Sequence, residues 1–461
     1  MRLHIDPPLD RWQLGRRPSI DRDALVELSR DHARRLSTEP LSGKRRIIGT
    51  GHQPLLWHPG ILAKDIVACA MAGHLRAQAL HVVVDHDTLD WLDLEVPVAA
   101  GQRLQVVRIV LAALKPNVPA CCQPPVPVRT IEIAIDAAAT RWGDRLLVNL
   151  DPIRSAFDRP GIWSNAAEQI TAALCRLRQQ VTAPLPVVFA SQLVQTERFG
   201  QLVDQMRAQA VHCVRCYNDA AEAHRAAGIA PLQVLPDQVE LPLWAVGWRK
   251  PRHRVYAQVA GGATSLRLKD GRSVGAAGLT LAPRALLLTG LLRSGYCDLF
   301  IHGRGGALYD RVTEAWWGNW LQSELAPRAT VSADLPMAFD LPVATAGQLA
   351  QASWWAHHLR HNLDRALDLD GPGVQRKRIL LSHMDDDRDR ARRARAFARI
   401  HQVNDELARH HPEPLADAAA RLRDARTGVA NLAAARKRDW CFALYRPTQL
   451  RALVKALDPS P

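Results

Sequence analysis

Short apolar runs alternate along this chain with longer stretches in which apolar residues recur every three or four positions. The run RRIIGTG at 45–51 predicts a buried strand, the stretch from Gly60 to Gly73 predicts a helix, and ALHVVVDHDTLDW at 79–91 predicts a second strand. A strand, a helix and a strand in direct succession form a βαβ unit. The pattern therefore predicts a parallel sheet with a right-handed crossover.

The same alternation continues along the chain and sets the predicted domains. Strand, polar turn and helix recur at 182–210, and helix, strand, glycine-rich turn and helix follow Arg284. Antiparallel strands are predicted at 241–275, where Asp270-Gly271 is a typical hairpin turn. The predicted class is α/β, with a helical lead-in over 1–44, a parallel core over 45–340 with insertions near 96–180 and 240–278, and a helical region over 341–461.

Charge narrows the range of partners only slightly. The chain has 461 residues and a net charge of +14, and arginine far outnumbers lysine. Codon bias in a GC-rich genome and an anionic ligand both account for this composition. In the last third, basic residues alternate with Asp and Glu, which is more typical of a solvated helix face than of a nucleic-acid-binding stripe.

The sequence also predicts a cytoplasmic protein. Its first residues contain no apolar segment of the secretory kind, and no window holds the roughly 18 apolar residues of a membrane span. Eight cysteines are scattered along the chain, as expected where thiols stay reduced. The segment HCVRC at 212–216 offers half of a zinc site, but no second pair completes it, so no metal site is predicted.

Polar residues follow three predicted strands where the chain leaves the sheet. Ligands of open parallel sheets bind beyond the carboxyl ends of the strands, so we expect these loops to line one crevice. A glycine-rich turn before a helix also exposes backbone N–H groups that suit phosphate or carboxylate. The candidates are Thr50, Gly51, His52, Gln53, His58 and Lys64 in the first loop, Asp85, His86 and Asp87 in the second, and Gly303, Arg304, Gly305 and Tyr309 in the third.

At these same loops the sequence resembles a known family, the bacillithiol biosynthesis cysteine-adding enzymes. GTGHQPLLWHPGILAK at 49–64 is similar to that family's TGQQxGLxxGPLYTxxK segment, and LHVVVDHDTLDWLDL at 80–94 resembles its PVFWxxxEDHDxxEV segment. The similarity runs in the same order from residue 45 to the C-terminus. This sequence departs from the family pattern at His52, Val84, Arg304 and Gly306, where the family has Gln, an acidic residue, Pro and Glu.

The resemblance implies a Rossmann-like core over 45–340 and a coiled-coil-like region over 341–461 that contributes to a homodimer. It also implies a reaction that adds cysteine to the amino group of glucosaminyl malate. A carboxylate is a poor electrophile, so amide formation needs activation, most simply through ATP and Mg²⁺. On this hypothesis Asp85, His86 and Asp87 supply a base and a Mg²⁺ ligand. Residues 50–53 hold a carboxylate or phosphate, while Lys64 and Arg304 neutralise negative charge.

Two other functions stay open at this point. One is a nucleotidyl- or acyl-transferring enzyme acting on another sugar or thiol metabolite, which the departures at His52, Arg304 and Gly306 motivate. The other is a non-enzymatic protein that binds nucleic acid through its basic C-terminal third, with steeply salt-dependent affinity. Because no aromatic stacking platform or recognised motif supports nucleic-acid binding, small-molecule substrates are the expected partners, and neither nucleic acid nor a membrane is.

Overall fold

The protein has a mixed α/β architecture, as predicted. A computed structural model describes residues 1–15, 22–158, 161–260, 263–386 and 389–459. Its strands are β1 Arg2–Asp6, β2 Arg46–His52, β3 Ala77–Val83, β4 Trp91–Ala100, β5 Arg103–Ala113, β6 Val187–Phe189, β7 Gln238–Gly247, β8 Lys250–Ala260, β9 Ala263–Arg267, β10 Thr280–Pro283, β11 Leu299–His302 and β12 Arg328–Asp334. Its helices are α1 Arg22–Leu36, α2 Pro59–His74, α3 Val128–Trp142, α4 Asp151–Phe157, α5 Ala166–Gln179, α6 Glu197–Ala208, α7 Ala210–Ala223, α8 Ala285–Leu291, α9 Arg304–Leu321, α10 Ala346–Ala366, α11 Pro372–Asp386, α12 Arg390–His410, α13 Pro412–Ala435 and α14 Pro447–Leu457.

The described residues divide into two compact units. The larger unit comprises Met1–Val96, Val107–Pro336 and Arg438–Pro461, and the smaller comprises Pro97–Val106 and Met337–Lys437. The helical region predicted over 341–461 is therefore divided, because its last residues belong to the larger unit.

A six-stranded sheet organises the larger unit. Its order is β1-β12-β11-β2-β3-β6, and every neighbouring pair is parallel except β1 with β12. The predicted βαβ unit is present as β2, α2 and β3. Helices bury both faces of such a sheet, which explains why its strands appear in the sequence as continuous apolar runs.

The first residues add a strand that the sequence pattern did not predict. β1 pairs antiparallel with β12, so that Leu3 lies opposite Ala333. Its sequence RLHID is polar, and its residues alternate between exposed and half-buried positions, as on a sheet edge. The segment 1–44 therefore contains an edge strand as well as the helix α1. A long-range pairing of this kind leaves little trace in local sequence.

Both predicted insertions contain β structure, and the later one matches its prediction closely. Strands β7–β10 form an antiparallel sheet of order β10-β7-β8-β9. The predicted turn follows β9, and Gly271 there has φ +85°, which suits glycine. In the earlier insertion, β4 and β5 form a two-stranded sheet ahead of helices α3–α5. The HCVRC segment lies within α7.

The smaller unit contains helices α10–α13, as the helical pattern after Thr345 predicts. Its apolar core includes Leu359, Leu363 and Ala418. Lys377 is buried there, and its Nζ donates to Asp364 Oδ1 at 2.6 Å. Among the helices that the structure describes, none combines the length and the apolar character needed to cross a membrane.

Candidate functional site

A cavity of about 520 Å³ opens beyond the carboxyl ends of β2 and β11. These strands are parallel neighbours, with Thr50 paired to Ile301, so the first and third predicted loops lie side by side. The volume is within the range of roughly 300–1,000 Å³ typical of small-molecule sites. The predicted residues that line the cavity are Gly51, His52, Gln53, His58, Lys64, Gly303, Arg304, Gly305 and Tyr309.

Thr50 was predicted to bind ligand, but it lies in the sheet. Its side chain is fully buried, and its Oγ1 donates to the Ile301 carbonyl at 3.2 Å. This bond joins β2 to β11 just below the cavity. Thr50 therefore supports the site and does not line it.

The second predicted loop lies outside this cavity. β3 leads there into a turn and then β4, whereas a strand-to-helix joint was expected. Asp85 lines a separate cavity of about 260 Å³ and accepts a hydrogen bond from the Ser191 backbone N–H at 2.8 Å. His86 is buried, and Asp87 pairs with Arg252 at 2.6 Å. The expected single crevice is therefore formed by the first and third loops alone.

Asp87 nevertheless touches a residue that lines the main cavity. Gln53 Nε2 donates to Asp87 Oδ2 at 3.2 Å. The second loop thus holds Gln53 in place through Asp87.

The other two residues of the second loop are buried, and their pKa values are shifted. Burial raises the pKa of Asp85 to about 6, although hydrogen bonds from Ser191 oppose that rise. Burial lowers the pKa of His86 to about 4.

His58 links the first loop to helix α2. It is the N-cap residue, and its Nδ1 accepts a hydrogen bond from the Gly60 N–H at 3.0 Å. Burial, assisted by Arg438, lowers the pKa of His58 to about 4. The imidazole is therefore uncharged at neutral pH, and its proton is on Nε2. A Cβ at Gly60 would lie 2.8 Å from Ser332 Oγ, so glycine is needed for α2 to pack this closely on β12.

His52 has the opposite tautomer. Its Nδ1 lies 3.3 Å from the Gln53 carbonyl oxygen and donates to it, which leaves a lone pair on Nε2. Burial and the charge of Lys64 lower the pKa of His52 to about 3, so this ring is also uncharged at neutral pH. Trp57 fixes the loop because its Nε1 donates to the same carbonyl at 3.0 Å. The two histidines therefore offer one acceptor and one donor.

Lys64 brings a buried positive charge to the cavity. Only 3% of the residue is exposed, and its Nζ donates to the Gly51 carbonyl at 2.5 Å. Among the described residues, the other two ammonium hydrogens have no acceptor. Burial lowers the pKa of Lys64 to about 8, although Asp65 opposes this. The lysine is thus charged at neutral pH and can donate to an anionic ligand.

A buried ionic cluster next to Lys64 holds α2 against the sheet. Asp65 Oδ1 lies 2.9 Å from His81 Nδ1, and Asp65 Oδ2 accepts from Arg178 Nη1 at 2.8 Å. All three side chains are at most 1% exposed. Trp57 packs on His81 with ring centroids 4.8 Å apart. The cluster therefore connects helix α2, strand β3 and the first loop.

The third loop presents the start of helix α9. Gly303 is the N-cap, and no side chain caps the helix. The first-turn N–H groups of a helix have no acceptor within it, and they carry the positive end of its dipole. Arg304 Nη2 donates to Asp334 Oδ1 at 2.6 Å. Trp316 and Trp320 anchor α9 in the core, stacked with centroids 5.5 Å apart.

The cavity wall also contains Asp310 and Arg438, which sequence analysis missed. Asp310 lies on α9, and its spacing of four from Gly306 and seven from Gly303 places the three on one helix face. That spacing could have revealed it. Arg438 donates through Nη2 to Ser332 Oγ at 3.0 Å. No signal in the sequence links this arginine to the first loop.

Comparisons of the sequence with family models and with curated proteins assign no chemistry to the site. No family model matches the chain, and no curated protein matches it. Within the described residues, no group of three or more His, Cys, Asp or Glu side chains is arranged to hold a metal ion.

Proposed function

We propose that the chain is an amide-forming carbon–nitrogen ligase that joins cysteine to the amino group of glucosaminyl malate or a related amino sugar. One observation carries the proposal. A single cavity combines the buried cation Lys64 with two uncharged histidines of opposite tautomer and the open start of α9. Amide formation from a carboxylate requires these functions: binding of negative charge, removal of a proton from the amine, and stabilisation of an oxyanion.

Each side chain has a role in this proposal. His52 accepts a hydrogen bond from the attacking amine at Nε2, because its Nδ1–H is occupied by the Gln53 carbonyl. Its low pKa means that the ring orients the amine while the proton passes on to water. His58 donates from Nε2 to the developing oxyanion, because its Nδ1 is occupied by the Gly60 N–H. Lys64 and Arg304 bind the negatively charged groups of the substrates. These roles replace the base that sequence analysis assigned to Asp85, His86 and Asp87.

ATP is the cosubstrate that would activate the carboxylate in this reaction, because it would supply a phosphate or AMP leaving group for the amine to displace. Residues 303–306 at the start of α9 fit its phosphates, because Gly303 and Gly305 leave open space around the backbone and Arg304 adds a cation. No group of three or more His, Cys, Asp or Glu side chains among the described residues is arranged to hold a metal ion, so the proposal assigns no protein ligands to Mg²⁺. No step in the proposal depends on such an ion.

The proposal extends to the fold and the assembly. The parallel sheet with a cavity at its carboxyl edge is interpreted as a Rossmann-like core, which supports ligand binding at that edge. Helices α10–α13 are interpreted as a coiled-coil-like region that contributes to a homodimer. Sedimentation equilibrium of the intact chain tests the dimer.

Incubation of the purified protein with ATP, cysteine and glucosaminyl malate is expected to yield the cysteinyl amide. Mass spectrometry detects the product by its mass, and each reaction that lacks one component is a control. Absence of the amide, with product formed from another sugar or thiol acceptor, would replace this proposal with the transfer reaction considered above. Absence of any product with every acceptor would contradict an enzymatic function.

Two substitutions separate the role proposed here for His52 from the base predicted from sequence. His52→Gln is expected to lower kcat by on the order of tenfold, the effect of losing one hydrogen bond that orients the amine. Asp87→Asn is expected to lower kcat far less, because Asp87 contacts Arg252 and Gln53 and does not line the cavity. Steady-state kinetics measures both. The reverse order of effects would restore Asp87 as the catalytic group.

A further inference from the structure

One carboxylate oxygen of Asp310 has hydrogen-bond partners, and the other has none among the described residues. Oδ2 accepts from Arg293 Nη1 at 2.7 Å and lies 3.0 Å from His302 Nε2. Oδ1 is buried and has no hydrogen-bond partner among the described residues. The residue is only 1% exposed, yet it lines the cavity. Asp310, a residue of the cavity wall, therefore has one buried oxygen without a donor among the described residues.

The local packing fixes this carboxylate in position. A Cβ at Gly306 would lie 2.8 Å from His302 Nδ1, so glycine allows the His302 ring to reach Asp310. Arg293 is 2% exposed and also donates to the Ala326 carbonyl at 2.8 Å. Asp310 is thus held by groups that are themselves buried, and its free oxygen cannot turn away to find another donor.

Asp310 is also ionised at neutral pH. Burial opposes ionisation, but His302 and Arg293 hold the pKa of Asp310 below its usual value. A buried charged acceptor without a donor costs free energy, because it has lost its water without gaining a hydrogen bond. A ligand that supplies the missing donor recovers that free energy. A cationic donor does so best, because hydrogen bonds between ionised groups are roughly twice as strong as neutral ones.

We infer that Asp310 Oδ1 receives the protonated amino group of the substrate, so that the cavity selects small molecules carrying both an ammonium and an anionic group. The anionic group binds Lys64 and the start of α9, and the ammonium binds Asp310. This inference rests on the cavity of the proposed function and names the substrate class that the cavity takes. Asp310 is a binding residue in this assignment, and it takes no part in proton transfer.

Matched pairs of probes test the selection without any variant. L-Cysteine is compared with 3-mercaptopropionate, and glucosamine 6-phosphate with glucose 6-phosphate, by isothermal titration of the full chain at pH 7. The first pair tests an amino acid as the source of the ammonium, and the second tests an amino sugar. In at least one pair we expect the amine to bind about tenfold or more tightly than its partner.

Asp310→Asn is expected to abolish that preference while binding of the amine-free partner stays within about threefold of wild type. Glu314→Gln is the matched control, because Glu314 Oε1 accepts from the same Arg293 at 2.7 Å but does not line the cavity. This control is expected to keep the preference. If Asp310→Asn does not fold, the wild-type probe pairs still decide the question.

Equal binding within both pairs, or no binding by either amine, would overturn the inference. Loss of the preference in Glu314→Gln as well would overturn the assignment to Asp310 Oδ1. These outcomes are distinct from failure of the proposed reaction. A chain that prefers the amines but forms no cysteinyl amide keeps the substrate class and loses the ligase assignment. A chain that forms the amide without any preference keeps the reaction and loses the role of Asp310.

Discussion

Replacing Lys64 with methionine is expected to lower kcat/KM by on the order of 10²–10³-fold, the usual effect of removing one preorganised donor from a developing or bound negative charge. Lys64 lines the cavity with two ammonium hydrogens that have no acceptor among the described residues. Methionine has a similar length and no charge. The variant should therefore keep the shape of the cavity while losing its buried cation.

The same substitution is expected to stabilise the fold slightly. Burial lowers the pKa of Lys64 from 10.5 to about 8, so its protonated form is less favourable in the folded chain by about 3 kcal/mol. Loss of the bond to the Gly51 carbonyl offsets about 1.5–3 kcal/mol of that gain. Urea unfolding at pH 7 should thus show a free energy of unfolding equal to wild type or higher by up to about 2 kcal/mol.

The pH dependence of wild type gives a second readout of Lys64. Affinity for an anionic substrate should fall as the pH rises through about 8, where the ammonium loses its proton in the free protein. Stability should change in the opposite direction. Between about pH 8 and 10.5 the unfolded chain binds more protons at this residue than the folded chain does, so the contribution of Lys64 to stability rises with pH. Neither trend should be present in Lys64→Met.

Lys455→Met is the control for both measurements, because Lys455 is exposed on α14. It should leave kcat/KM and the unfolding transition unchanged. Two results would contradict the binding role of Lys64: an unchanged kcat/KM in Lys64→Met, or a loss of activity that accompanies a marked loss of stability.

Asp65→Ala is expected to destabilise the larger unit by about 3–5 kcal/mol, since it leaves Arg178 buried without a counter-ion. Asp65 and Arg178 are 0% and 1% exposed, with Asp65 Oδ2 and Arg178 Nη1 2.8 Å apart. Removal of one partner is costly because the remaining charge keeps its desolvation penalty and loses its attraction. Chemical and thermal unfolding at pH 7 measure the effect.

The effect of Asp65→Ala should diminish in acid. Burial opposes ionisation of Asp65, but His81 and Arg178 hold its pKa well below the ordinary 3.8. A carboxylate with a depressed folded pKa contributes its stabilisation above the unfolded value and loses it as the pH falls below that value. The difference in stability between wild type and variant should therefore be smaller at pH 3 than at pH 7.

Two further variants define the cause. Asp136→Ala removes a surface pair, Arg154 Nη2 with Asp136 Oδ1 at 2.6 Å, and should change stability by at most about 1 kcal/mol. The double substitution Asp65→Leu with Arg178→Met should recover most of the stability lost in Asp65→Ala, because no charge is left buried. Equal losses in the surface and buried variants would contradict this account.

The sequence predicted a strand, helix or turn correctly where the residues of that element alone indicate its structure. The parallel βαβ unit around β2 and β3 was predicted because both strands are short apolar runs and the intervening helix is longer and largely apolar. The hairpin turn at Asp270-Gly271 was predicted because its backbone conformation favours glycine. The edge strand β1 was missed because its stabilising partner lies more than 320 residues away in the chain.

Some properties of the functional site likewise follow from local sequence, and others follow only from the tertiary structure. The sequence by itself determined which residues follow the parallel strands, and nine of its ten predicted binding residues line one cavity, because parallel strands place their carboxyl ends at one edge. Only the tertiary structure decided that Asp85, His86 and Asp87 lie outside it, because the chain after β3 turns into β4 and not into a helix. Tertiary structure alone also brought Arg438 to the wall, buried Lys64 and Asp310, and half-buried His52. Burial shifts the pKa values of Lys64 and His52, whereas His302 and Arg293 lower that of Asp310. Residue type and spacing determine which groups can reach an edge of the sheet, whereas desolvation depends on atoms from distant parts of the chain and exists only once the chain has folded.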